Sequence, residues 1–201
     1  MPKIVDHDRR REEIAQATLR VIRKLGVENT TVRAISREGG FSSGVLAHYF
    51  GNKEEIVGFA FQWTAESAFR SLEACIADHP PGLERVRASL ECMCPLPGSG
   101  TENTHLAISM SFWGHALHNP DLAAQFQANY NRWRGYVRRF LKESIDNGEA
   151  PEDLPVEDEV DLLVSTVDGL WIAEALEPAR FTARRRNRLL DRIIGRLSRG
   201  R

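Results

Sequence analysis

Cysteine is scarce in this chain of 201 residues, and its three cysteines cannot all pair. Cys92 and Cys94 stand too close for a useful staple, which excludes a disulfide scaffold and favours a reducing interior. No apolar run is long enough to span a bilayer. The start, MPKIVDHDRRREE, has no apolar core of a signal peptide, so a cytoplasmic protein is expected. Alternating β-branched runs are absent, as are internal repeats and long low-complexity segments. Catalytic signatures are missing as well. There is no HExxH, no GxSxG elbow and no glycine-rich phosphate loop after a strand, so no enzyme is expected. His115 and His118, three apart with His105 nearby, have a spacing that can hold metal, yet no Glu-x-x-His repeat accompanies them. A polar helix face is the plainer reading, and neither metal nor cofactor is expected.

What is present is helix. With 42% hydrophobic and 27% charged residues the chain reads as soluble and globular. Breakers at Gly26, Gly39-Gly40, Gly51, Pro80-Pro81-Gly82, Pro95 to Gly100, Asn119-Pro120, Gly148 to Pro155 and Pro178 divide it. Between them the apolar period is helical. Ile14, Ala17, Val21 and Leu25 share one face. Leu106, Met110, Trp113 and Leu117 share another, and Leu122, Phe126, Tyr130, Trp133, Val137 and Leu141 run along a third. The pattern predicts an all-α protein of about nine helices, at 8–25, 32–39, 43–50, 53–78, 83–93, 102–118, 121–147, 157–176 and 183–199.

The net charge of −1 hides local asymmetry. Residues 1–53 carry ten Lys and Arg, Lys3 among them, against six Asp and Glu. The stretch 146–161 holds eight acids and no base, whereas residues from 180 onward hold nine arginines and one acid, Asp191. Solvated helix faces explain any single run; together they also allow the acidic 152–161 segment to face the basic last helix of a second copy.

The stretch FSSGVLAHYFGNKEEI predicts a helix of about two turns, too short to stand alone. Ser42 caps its start, Gly51 stops it, and Asn52 with Glu55 forms a capping box for the next helix. One helix back, Thr31 caps VRAISREGG, and two glycines turn the chain. Ile35, Leu46 and Tyr49 are expected inward, Ser36 at the helix crossing, and Phe41 as a plug in the turn. This is a helix-turn-helix arrangement, whose second helix projects its N-terminus into a major groove. Gly44 then permits close approach to DNA. Thr31, Arg33, Ser42, Ser43, Gly44, His48, Tyr49 and Lys53 are the expected DNA-binding residues, mostly toward phosphates.

The stretch TVRAISREGGFSSGVLAHYFGNKEEI resembles the DNA-binding domain of the TetR family of one-component repressors. RREEIAQATLRVIRKLGVENT resembles that family's first helix. The start MPK, the serine-glycine spacing, HYF, FWGHALHNP and DGLWIAEAL look most like the choline-responsive BetI branch. Gly39 stands where alanine is usual, Phe41 where valine is usual, and Ala47 where many relatives carry tyrosine.

The resemblance implies a DNA-binding domain over 1–51 and a ligand-binding and dimerisation domain over 52–201. It implies a homodimer built through the last two helices, with Val160, Leu163, Val164, Val167, Leu189, Leu190, Ile193, Ile194 and Leu197 as interface candidates. Leu162, Ala173 and Leu176 extend apolar character to another side of the same helix. It also implies an effector pocket, with Trp63, Phe112, Trp113, Tyr130, Trp133 and Trp171 as candidate walls and Glu66, Asp168 and Glu174 as candidate carboxylates. Asp168 lies on a mostly apolar helix one turn before Trp171, where an unpaired charge is expensive. Aromatic faces and a carboxylate suit a quaternary ammonium. Amines, polyamines and neutral lipophiles remain open, and each aromatic also reads as plain core.

The expected function is a ligand-responsive repressor that binds a double-stranded operator and releases it when a small molecule binds, with the helix of Trp63 as the lever. The rival is a helical protein–protein module without specific DNA binding.

Overall fold

Local punctuation sets the helix ends. In the computed structural model, which describes residues 7–93 and 102–198 and the side chains in that span except those of 102–107, nine helices and no strand occur among the described residues. They are α1 (His7–Leu25), α2 (Val32–Gly39), α3 (Ser43–Tyr49), α4 (Lys53–Ala77), α5 (Leu83–Met93), α6 (Glu102–Ala116), α7 (Pro120–Asp146), α8 (Val156–Leu176) and α9 (Ala183–Leu197). Gly26, Gly40, Gly82 and Gly148 take positive φ at the turns, a conformation that costs glycine little. Lys3, Cys94, the breaker stretch Pro95 to Gly100 and the side chains of His105 and Leu106 lie outside the described residues. No helix is long and apolar enough to cross a membrane.

The chain divides into two compact units. The first comprises residues 1–67 and 107–127; the second comprises 68–106 and 128–201. The functional boundary expected at 51/52 falls inside the first unit, so the packing division is not the division read from the motif.

The first unit has two neighbouring cores. Ile14, Ala17, Val21, Ile35, Leu46, Phe50 and Ile56 form one; Ile22, Val27, Val57, Phe61, Ile108, Phe112 and Leu122 form the other. α6 departs from its expected face. Ile108 and Phe112 are buried and Ala116 packs beside them, whereas Leu117 is 82% exposed. α6 is apolar nearly all round, so periodicity alone does not say which side faces inward. Leu25, expected on the α1 stripe, is exposed, and Val27 beyond the Gly26 turn fills the core instead.

In the second unit Phe69, Leu72, Val86, Trp133, Val137, Phe140, Leu141, Val160, Leu163, Val164, Leu190 and Leu197 form one core. Within it lies a closed ion pair. Arg186 on α9 donates to Glu174 on α8 at 3.1 Å, with the two residues 1% and 6% exposed. Burial raises the Glu174 carboxyl above its ordinary range, and the Arg186 charge pulls the other way. Glu174 Oε2 pairs with Arg186, while its Oε1 is buried with no partner among the described residues.

Candidate functional site

The reader is assembled from capped short helices. Thr31, in extended backbone, accepts the Ala34 N–H through its hydroxyl oxygen at 3.1 Å. Gly40 closes α2 in the left-handed region and donates to the Ser36 carbonyl. Ser42 then accepts the Val45 N–H at 3.2 Å, which starts α3. The stop of α3 differs from expectation. Gly51 does not take positive φ; Phe50 ends the helix in extended backbone and inserts its ring into the core. Asn52 caps α4 through the Glu55 N–H at 2.8 Å, and Glu55 reaches back to the Gly51 N–H at 2.9 Å.

Two helices of the reader are pinned by charge. Glu38 on α2 accepts from Lys24 at 2.7 Å and Arg20 at 3.1 Å on α1. Those cations, Lys24 first, hold the Glu38 carboxyl below its usual range. Leu46 is the buried anchor of α3. Ser42, Ser43, Gly44 and His48 are exposed, as are Thr31 and Arg33. A Cβ added at Gly44 would meet only the Ser42 hydroxyl, at 3.8 Å. Packing therefore does not require glycine there, which leaves close approach from outside as its use. Lys53 is half-buried and donates to the Glu28 carbonyl at 3.4 Å. Tyr49 is half-buried and packs on the reader core.

The α1 start joins this face, which the sequence reading missed. The His7 ring lies 5.5 Å from Tyr49 and 6.0 Å from His48, and the Arg10 guanidinium lies 5.8 Å from the Phe41 ring. With Gly44 and Val45 these residues line a hollow of about 740 Å³. The run RRRE at the start of α1 was the available signal. The His115–His118 face has a structural use too, since His115 Nδ1 lies 2.6 Å from Glu28 Oε1 and holds that carboxyl below its usual range.

The effector candidates divide between the units. Trp63, Glu66, Phe112 and Trp113 belong to the first. Phe112 is closed into the core against Phe61 at 5.0 Å, and Glu66 accepts from Gln62 at 3.0 Å. The second unit brings Tyr130, Trp133, Asp168 and Trp171 to one region. The Tyr130 hydroxyl donates to Asp168 Oδ2 at 2.8 Å. The Tyr130 and Trp133 rings lie 6.0 Å apart, and the buried Trp133 Nε1 has no partner among the described residues. Trp171, one turn beyond Asp168, packs on the same core. Burial pushes the Asp168 carboxyl up to about 6, against the Tyr130 hydrogen bond and the Arg134 charge. Burial, with the Asp168 charge, raises the Tyr130 hydroxyl far above its ordinary value.

The dimer candidates of α8 and α9 divide by burial. Val160, Leu163, Val164, Val167, Leu190 and Leu197 are spent on the core of their own chain. A side chain already enclosed there offers no surface to a second copy. Leu189, Ile193 and Ile194 are half-buried, and the exposed apolar residues of α8 are Leu162 at 50% and Leu176 at 76%. Three acids near the start of α8 are paired within the chain. Glu157 takes a forked pair of bonds from Arg138 at 2.6 Å each, Asp161 one from Arg134 at 2.8 Å, and Glu159 one from Arg196 at 2.9 Å.

Comparison with known proteins places these features. Residues 82–199 match the family described as "BetI-type transcriptional repressor, C-terminal". Residues 14–58 match "Bacterial regulatory proteins, tetR family". The chain is 28% identical over 191 residues to the HTH-type transcriptional regulator PksA of Bacillus subtilis strain 168, covering 94% of this chain and 90% of that one. It is 27% identical over 192 residues to the HTH-type transcriptional regulator BetI of Stenotrophomonas maltophilia, covering 94% and 93%. Among solved structures, a transcriptional regulator of Pseudomonas aeruginosa PAO1 has a TM-score of 0.82 at 23% identity, covering 96% of this chain and 92% of that one. A transcriptional regulator of Saccharomonospora viridis in complex with choline has a TM-score of 0.76 at 20% identity, covering 94% of each.

Proposed function

The chain belongs to the TetR family of bacterial regulators, with a BetI-type repressor domain as its C-terminal part, and on that premise we propose that it releases its operator when a small cation binds beside Asp168. It is a DNA-binding transcriptional regulator and not an enzyme. A reader of chromosomal DNA acts in the cytoplasm.

The observation that carries the cation reading is the half-buried Asp168 carboxylate, held by Tyr130 and placed one turn from Trp171. A carboxylate with aromatic faces attracts an ammonium, each face contributing about 0.5–2 kcal/mol. The choline bound by the Saccharomonospora viridis regulator supports the same chemistry. Two readers at a fixed spacing call for a symmetric dimer. The outer side of α8, with Leu162, Ser165, Gly169, Ala173 and Leu176, is the surface we assign to it. Gly169 leaves open space where a Cβ would be, which lets a second helix approach closely. α4 begins in the reader's unit and ends in the effector's. α6 and α7 also cross between the units; of the three, α4 is the one we assign as the lever by which binding at one site changes affinity at the other.

The test is binding of the purified protein to the promoter fragments beside its own gene, over a salt series, with and without choline, betaine aldehyde and polyamines. A specific shift that weakens steeply with salt and is released by an ammonium supports the whole reading. A specific shift released by none of them rejects the cation. No specific shift on those fragments or in a genome-wide selection favours the protein–protein module.

A further inference from the structure

Two cysteines meet in the second unit. The Cys75 sulfur, on α4, lies 3.8 Å from the Ala88 carbonyl oxygen of α5. In an α-helix that carbonyl accepts the N–H four residues on, which here is Cys92. Ala88 and Cys92 therefore share one face of α5, and the Cys75 sulfur sits on the turn that carries Cys92. Both thiols are free and half-buried, packed against the same core. Burial first, then the Cys75 sulfur beside it, pushes the Cys92 thiol up to about 11. The Cys75 thiol donates to the Ala88 carbonyl, while burial keeps the proton on Cys92. Cys75 is thus the sulfur placed to attack, and Cys92 the one placed to resolve.

We propose that Cys75 and Cys92 are a reversible dithiol switch, closed to an intramolecular disulfide by a hydroperoxide, which ties α4 to α5 and changes DNA affinity. The Cys75 thiolate attacks the peroxide, breaking its O–O bond; with one proton taken up, an alcohol (water, from hydrogen peroxide) leaves and Cys75 becomes a sulfenic acid. The Cys92 sulfur then displaces the hydroxyl. The S–S bond forms, the Cys92 proton leaves with that hydroxyl as water, and the two thiols have lost two electrons to the peroxide. A disulfide needs its Cβ atoms about 3.5–4.5 Å apart, so closure fixes the last turns of α4 against α5. The first turns of α4 belong to the reader's unit. A transient, regulatory disulfide of this kind suits a reducing compartment.

The experiment uses the full chain carrying Cys94→Ser, treated with hydrogen peroxide near equimolar amounts. Free thiols are alkylated, the protein is digested without reductant, and peptides are weighed. The expected product joins the Cys75 and Cys92 peptides, lighter by two hydrogens than their sum, and dithiothreitol reverses it. Operator affinity is measured in parallel and should change roughly fivefold or more on oxidation. It should not change in Cys75→Ser, or in Cys92→Ser should the first variant fold poorly. Two alkylatable thiols after peroxide overturn the proposal, as does a disulfide that leaves DNA affinity unaltered. Loss of operator binding in the reduced protein would count against the repressor reading instead, so the two failures are distinguishable.

Discussion

The ring of Phe41 fills the space that a Cβ on Gly39 would occupy. Both stand where the family usually has other residues, alanine at the first position and valine at the second. The two departures are one exchange of volume across the turn of the reader. The larger ring packs on the reader core, and the missing methyl makes room for it.

Gly39→Ala should therefore destabilise the wild-type chain by about 1–3 kcal/mol through overpacking. In a Phe41→Val background the same change should stabilise by up to about 1 kcal/mol, because Gly39 lies in the last turn of α2 and alanine favours helix. Denaturant melts of the four variants decide it. An unchanged sign in the two backgrounds would break the coupling.

Asp168→Asn should keep operator binding and lose release by an ammonium. In the parent protein, cation affinity should fall as pH drops through about 6, where burial has raised the Asp168 carboxyl. The stability consequence has the opposite sense. Between the ordinary value of 3.8 and about 6 the folded state holds a proton that the unfolded state has released, so the ligand-free protein loses stability as pH rises through that window. Melting midpoints from pH 4 to pH 7 should show this slope in the parent and less of it in the variant.

Glu174→Ala leaves the Arg186 charge buried without its partner, and about 3–5 kcal/mol of stability should be lost. Glu174→Leu combined with Arg186→Met should regain most of it, since an apolar pair removes the desolvation cost of both ions. Chemical unfolding of the single and double variants measures the difference. A double variant as weak as the single one would mean the ion pair itself stabilises the unit.

Gly169→Arg tests the outer side of α8. A Cβ there meets nothing within 4 Å, so the added side chain leaves from an open position, and helix content and unfolding should hold. Sedimentation should show monomers, and operator affinity should collapse because one reader spans only one half-site. A dimer that persists would move the interface elsewhere.

The helix boundaries and the reader were legible in the sequence because their causes are local. Thr31, Gly40, Ser42 and Asn52 act on backbone groups within a few residues, and Ile35 and Leu46 announce their burial by spacing. The stop of α3 was harder to read. Gly51 looked like the terminator, while the Phe50 ring, drawn into the core, ends the helix. The effector side was less legible still. Nothing within four residues of Asp168 tells that Tyr130, 38 positions earlier, donates to it.

By itself the sequence determined an all-helical chain, the position of each turn and a capped two-turn helix exposing Ser43, Gly44 and His48, since hydrogen bonds and helical periodicity operate over three or four residues. Only the tertiary structure decided which side of an amphipathic or wholly apolar helix is consumed. It buried Val160, Leu163, Val164 and Val167 in their own core, left Leu162 and Leu176 outside, turned Phe112 inward and Leu117 outward, and paired Glu157, Glu159 and Asp161 of α8 with arginines of α7 and α9. Those outcomes depend on which helices meet, and burial of apolar area is non-directional until packing chooses the neighbours.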